Sequence, residues 1–167
     1  MPLAVTHVLL TIIVIDLFRD HFIKDKKLIP LKYLFIGGIA SLLPDIDIPI
    51  YWFLNNILKF NLPWFHRTFS HTIFFPLVLI FITIFFFNIN RKWFNILSII
   101  TFAVSFHLLL DAIFGGIMIF YPLSQTIVGF QLDLIINMPA FTAGMDAIIL
   151  LAWLWHEEKY HKISDFI

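Results

Sequence analysis

FNILSIITFAVSFHLLLDAIF, residues Phe94–Phe114, decides the class of this protein. The run matches the ~20 residues needed to cross a hydrocarbon core as a helix. It also carries His107 and Asp111 near its far end, four residues apart, so both side chains share one helix face. An ionisable pair in such a setting is costly unless it has partners, and it marks a working site.

Further apolar runs flank this one. Leu3–Phe18 is broken only by Thr6, His7, Thr11 and Asp16, and the polar stretch Arg19–Lys27 follows it. Leu31–Leu43 stops at Pro44, which ends helices and restricts the residue before it. Ile48–Leu58 is apolar and aromatic, suited to the interface or to re-entry, and Lys59–Thr72 is a polar loop. Ile73–Ile89 and Ala140–Trp155 are further spans, separated from Phe94–Phe114 by the turn Asn90-Arg91-Lys92 and the long connection Gly115–Pro139. The charged tail His156–Ile167 ends the chain. The pattern predicts an all-α, polytopic membrane bundle, a single domain over 1–167 with about five membrane-embedded helices.

Composition agrees. Hydrophobic residues make up 60% and charged residues 13%, with 21 Phe; a soluble domain carries roughly 25% charged residues. Net charge is zero without a basic stripe, so nucleic-acid binding is not expected. No cysteine is present, which excludes disulfide and thiolate chemistry and leaves nitrogen and oxygen as metal ligands. The first residues lack a basic signal-peptide region, so the first apolar run is expected to be retained.

Lys and Arg set the orientation. With the N-terminus outside, the inner side collects Arg19, Lys24, Lys26, Lys27, Lys32, Arg91, Lys92, Lys159 and Lys162, and the outer side only Lys59 and Arg67. The C-terminus is then inside. His7, Asp45, Asp47, His66, His71, His107 and Asp111 fall together in the outer half, with His7, Asp45 and His107 each ~18 Å above the inner boundary at the rise of a helix. His21, His156 and His161 fall on the inner side, and Asp146 slightly below the cluster. The location expected is a prokaryotic cytoplasmic membrane, with the site facing outward.

Each motif has a plain reading and a chemical one. His107-x-x-x-Asp111 can be a satisfied hydrogen bond; inside a span, near other ligand types, metal binding is the stronger reading. Asp45-Ile-Asp47 can be a turn that caps the next helix. Two close carboxylates repel unless a cation lies between them, so the histidines give the pair weight. His66-Arg67-Thr-Phe-Ser-His71 offers two imidazoles and an Arg fork that matches phosphate oxygens. Asp146 is a candidate for orienting a ligand histidine.

Taken together, Thr6-His7, Gly38-Ile-Ala-Ser-Leu-Leu-Pro44-Asp45-Ile-Asp47, His66–His71, His107–Asp111, Gly115-Gly116 and Tyr121-Pro122-Leu-Ser124 resemble the YdjM-like family of membrane-bound metal-dependent hydrolases. That family's pattern is in turn similar to zinc phospholipase C and P1-type nucleases. The resemblance implies a metal held by His7, Asp45, His66, His107 and Asp111, and hydrolysis of phosphate esters. Ser70-His71-Thr72 exchanges the hydroxyls that often flank the family's last histidine. No second His-x-x-x-acid pair follows His107, so one or two ions are expected rather than three.

The reading is a metal-dependent hydrolase of a phospholipid or lipid-linked phosphoester. Metal ligands would come from His7, Asp45, Asp47, His66, His71, His107 and Asp111, and catalytic groups from Asp47, Arg67 and His71. Imidazole plus carboxylate suits Zn²⁺, with Mn²⁺ and Fe²⁺ as alternatives. The rival is a metal or proton transporter that uses the same cluster as a binding site.

Overall fold

The computed structural model describes residues 4–23, 28–61, 63, 66–132 and 138–161, with the side chains of 138–143 and 161 left out. Lys24, Lys26, Lys27 and Lys162 of the charge count lie outside the described residues. The fold is all-helical: α1 (Ala4–Phe22), α2 (Lys32–Ala40), α3 (Asp47–Trp52), α4 (Phe74–Phe86), α5 (Arg91–Phe114) and α6 (Met138–His161). A 3-10 turn, Pro44–Ile46, leads into α3, and a π-turn, Phe53–Ile57, leaves it. Among the described residues there is no strand, and one isolated antiparallel bridge joins Ile117 to Val128.

Local chemistry explains where these helices begin and end. Asn90 is extended and its side chain accepts from the backbone N–H groups of Lys92 and Trp93, at 3.0 and 3.2 Å. This N-cap starts α5 at Arg91, ahead of the apolar run. Pro76 sits in the first turn of α4, where its missing N–H costs little. α2 stops before Pro44, as expected, and Ser41 Oγ donates to the Gly38 carbonyl at 2.7 Å.

By length and composition, one helix among the described residues suffices to cross a membrane: Arg91–Phe114. Lys32–Ala40 with Pro44–Ile57 qualifies only as a broken pair, bent by 50°. α4 is apolar but has 13 residues. α1 carries Asp16, Arg19 and Asp20 within its helix, and α6 carries Glu157, Glu158 and Lys159. The expectation of about five spans thus meets one such helix, or two with the bent pair.

α1, α2 and α5 form the centre, with α4 packed on α5 and α6 on α1. Gly37 and Gly38 let α2 approach α1: a Cβ on Gly38 would stand 2.8 Å from Ile12 Cδ1. Ile15, Tyr33, Leu34 and Ile99 fill the core at one level, and Val104, Leu108 and Ile117 at another. α4 turns Phe81, Ile84 and Phe85 outward, each more than 60% exposed.

The far end of α1 is fastened by charge. Arg19 Nη1 donates to Asp20 Oδ1 at 3.1 Å and lies 3.8 Å from Asp16 Oδ1; Arg19 Nε donates to the Ile29 carbonyl at 2.9 Å. Trp153 Nε1 on α6 donates to Asp16 Oδ2 at 3.2 Å. Asp16 is therefore paired with Arg19, and it also ties α6 to α1.

Candidate metal centre

Four elements bring ligand atoms to one point. His7 comes from the start of α1 and Asp45 from the 3-10 turn after α2. His71 comes from the loop before α4, and His107 and Asp111 from the last turns of α5. The side chains of His7, His71, His107 and Asp111 are 0–2% exposed, and that of Asp45 22%.

The spacing among these atoms is the informative quantity. His71 Nε2 lies 3.3 Å from His107 Nε2, 3.3 Å from Asp45 Oδ1 and 3.2 Å from Asp111 Oδ2. His107 Nε2 lies 3.7 Å from Asp45 Oδ1 and 3.5 Å from Asp111 Oδ2. Four N and O ligands set tetrahedrally around a zinc ion stand about 3.3–3.6 Å apart, the edge that follows from bonds of about 2.0–2.2 Å. Neither Asp111 oxygen has a hydrogen-bond partner, although three imidazoles surround the carboxylate. Imidazole nitrogens and carboxylate oxygens that converge at this spacing are an arrangement a common cation would satisfy. The donor set fits a divalent ion.

Asp111 Oδ1 faces away from that quartet, 3.5 Å from His7 Nε2. The His7 ring stacks on His107, with centroids 3.9 Å apart and planes 22° from parallel. His7, His107 and Asp111 form a second possible ligand group, bridged to the first through the Asp111 carboxylate.

Asp47 is the hub of a neighbouring network. Its Oδ1 lies 2.9 Å from His66 Nδ1, and its Oδ2 accepts from the Arg67 backbone N–H at 3.2 Å and from Ser70 Oγ at 3.0 Å. Ser70 has one hydroxyl proton and gives it to Asp47. Its oxygen therefore accepts from His71 Nδ1–H, 3.1 Å away. That assignment leaves the lone pair of His71 on Nε2, directed at the cluster, the tautomer a ligand needs. Asp47, His66 and His71 are also close enough to form a ligand group; it would use His71 Nδ1, which the Ser70 contact already occupies.

Arg67 closes the site from the loop. Its backbone is in the left-handed region, φ 67°, a conformation that costs a non-glycine residue about 1 kcal/mol or more. The bend turns its N–H to Asp47 and its guanidinium to the Gly116 carbonyl, 3.2 Å from Nη1. Arg67 Nη2 lies 3.5 Å from Asp111 Oδ1, while Nε and Nη2 are buried without a hydrogen-bond partner. Gly116 has φ 70°, and a Cβ there would stand 2.8 Å from Ile127 Cγ2.

Burial would lower the pKa of His71, but its contacts with Asp111 and Asp45 outweigh this and raise it. Of the residues the sequence singled out, His7, Asp45, His71, His107 and Asp111 meet directly, and Asp47, His66 and Arg67 form the adjoining shell. His21 is apart from them, bonded to the Leu17 carbonyl, and His156 lies against Glu157. Asp146 Oδ2 accepts from Thr6 Oγ1 at 3.1 Å, beside His7 in the chain. Ser70 and the Gly116 carbonyl were not anticipated. The hydroxyl next to His71 was the one available signal.

A family model described as YdjM inner membrane protein matches residues 1–164. The chain belongs to the YdjM inner membrane protein family. No curated protein and no solved structure matches it. The family sets the chain in a membrane, and its description names no reaction. Within this YdjM family chain, the buried His and Asp side chains thus lie in a bilayer protein, where unpaired charge is most costly.

Proposed function

We propose that this protein is a membrane-embedded, metal-dependent hydrolase that cleaves a phosphoester of a phospholipid or lipid-linked substrate at the outer face. The observation that carries the reading is the convergence of His71 Nε2, His107 Nε2, Asp45 Oδ1 and Asp111 Oδ2 at coordination spacing. These four residues would hold the first ion, and His7 with Asp111 a second. Zn²⁺ suits the set best, with Mn²⁺ or Fe²⁺ as alternatives. A bound divalent ion supplies Lewis acidity and lowers the pKa of water towards neutrality.

The chain's own groups do the rest. Arg67 offers Nε–H and Nη2–H, both buried without a hydrogen bond and with Nη2 3.5 Å from Asp111 Oδ1, to the phosphoryl oxygens, in a fork that fits them. Asp47, paired with His66 at 2.9 Å, is placed to accept a proton and keeps Arg67 and Ser70 in register. Ser70 fixes the tautomer of His71. About five membrane-embedded helices, with the N-terminus outside and the C-terminus inside, remain the topology proposed. The meeting of the start of α1 with the ends of α2 and α5 at one level supports it.

Replacing His107 or Asp111 by Ala should remove bound metal and phosphodiester turnover together. Full metal content and activity in both variants would refute the reading. A transporter is the second reading, and one observation favours it: α1 also buries Thr11, Asp16 and Arg19 towards its other end. Ion uptake into proteoliposomes without hydrolysis would select it.

A further inference from the structure

The cluster is closed on most sides. Of the five converging ligands, only Asp45 is more than 2% exposed. The side on which Asp45 opens is walled by apolar side chains. It lines a groove of about 420 Å³ whose other walls are apolar, among them Ala4, Ile39, Leu42, Leu43 and Ile48. A second groove of about 480 Å³ shares Ala4 and Leu42 with the first and follows α1 along Val5, Val8 and Ile12. The two grooves adjoin at Ala4 and Leu42, and together they give a mostly apolar channel along α1 that ends at the Asp45 carboxylate.

We propose that this channel seats one hydrocarbon chain of a lipid phosphoester, with the phosphate delivered past Asp45 to the cluster. The inference rests on the proposed hydrolase reading and adds to it where the tail binds and which residues select it. The shape matches an amphiphile: Asp45 at one end, then about 12 Å of apolar α1 flank from Ala4 to Ile12, faced on α6 by Ala147, Leu150 and the Asp146 carboxylate, which accepts from Thr6 Oγ1. Bulk lipid tails are as apolar as the groove, so its walls add little affinity. Their contribution is orientation, because a chain held along α1 fixes where its headgroup sits. A water-soluble phosphoester has no use for such a channel.

The test uses the full chain in nanodiscs with Zn²⁺ and a phosphatidic acid carrying a diazirine on one acyl chain. Photolysis followed by peptide mapping should place adducts around Ala4, Leu42 and Ile48, and excess unlabelled phosphatidic acid should suppress them. Leu42→Trp should cut those adducts by roughly tenfold, with metal content unchanged. Ala4→Trp, at an exposed position, serves as the second variant should Leu42→Trp fail to fold. Adducts spread evenly onto Phe81, Ile84 and Phe85 of α4, uncompeted and untouched by either Trp, would reduce the channel to ordinary bilayer contact and overturn the proposal. Competed groove adducts without phosphate release would support the channel while removing the hydrolase reading, so the two failures are distinguishable.

Discussion

Two buried polar networks join α1 to its neighbours, one near each end, and they balance charge in different ways. Near the C-terminal end, Asp16, Asp20 and Glu157 lie close together, the Arg19 guanidinium reaches Asp20 and Asp16, and the Trp153 N–H covers the other Asp16 oxygen. Near the N-terminal end, Asp45 and Asp111 meet three imidazoles, and both oxygens of Asp111 lack a hydrogen bond. Both groups have the composition of a metal site. In the first the Arg19 guanidinium hydrogen-bonds a carboxylate; in the second Arg67 stands 3.5 Å off Asp111, and imidazole nitrogens and carboxylate oxygens gather at coordination spacing. The inventory of partners, more than the number of acids, separates a structural network from a candidate metal centre.

The largest expected effect separates the two ends outright. Asp111→Ala should release the bound metal and abolish turnover, whereas Asp16→Asn should leave metal content intact. Arg67→Lys comes next: it keeps the charge but loses the fork, and kcat should drop by about 10²-fold or more with the metal retained. Loss of metal in that variant would break the assignment of Arg67 to substrate. Ser70→Ala should weaken metal affinity by about 10–100-fold, read by titrating the metal-free protein, because His71 loses its tautomer partner. Unchanged affinity would remove the relay from the account.

Ion affinity should also fall with pH. Imidazole must lose its proton to ligate. The raised pKa of His71 in the metal-free protein makes competition by protons begin above the range of an ordinary histidine. At the small end, Trp153→Phe should cost about 1–3 kcal/mol by leaving Asp16 short of a donor, with no change in metal affinity.

The helices were legible because apolar runs of this length leave few alternatives. Their ends were less so. α1 continues to Phe22 and α6 to His161 through charged residues that end a hydropathy signal without ending a helix. α5 starts at Arg91 because Asn90 caps it, a hydrogen bond that hydropathy ignores. The count of crossings did not follow from runs alone: α2 breaks at Pro44, and α4 is short. Every residue of the cluster was visible as a ligand type near an apolar run. The division of labour was not. Whether Asp47 faces the centre or gathers His66, Arg67 and Ser70 depends on a loop with a left-handed residue, and periodicity says nothing about such a turn.

Elemental analysis of the purified protein, compared across wild type, Asp111→Ala and Asp16→Asn, tests the central claim most directly. The account predicts one or two divalent ions per chain in wild type and in Asp16→Asn, and none in Asp111→Ala. A metal-free wild type, or an ion that survives Asp111→Ala and leaves with Asp16→Asn, would contradict it.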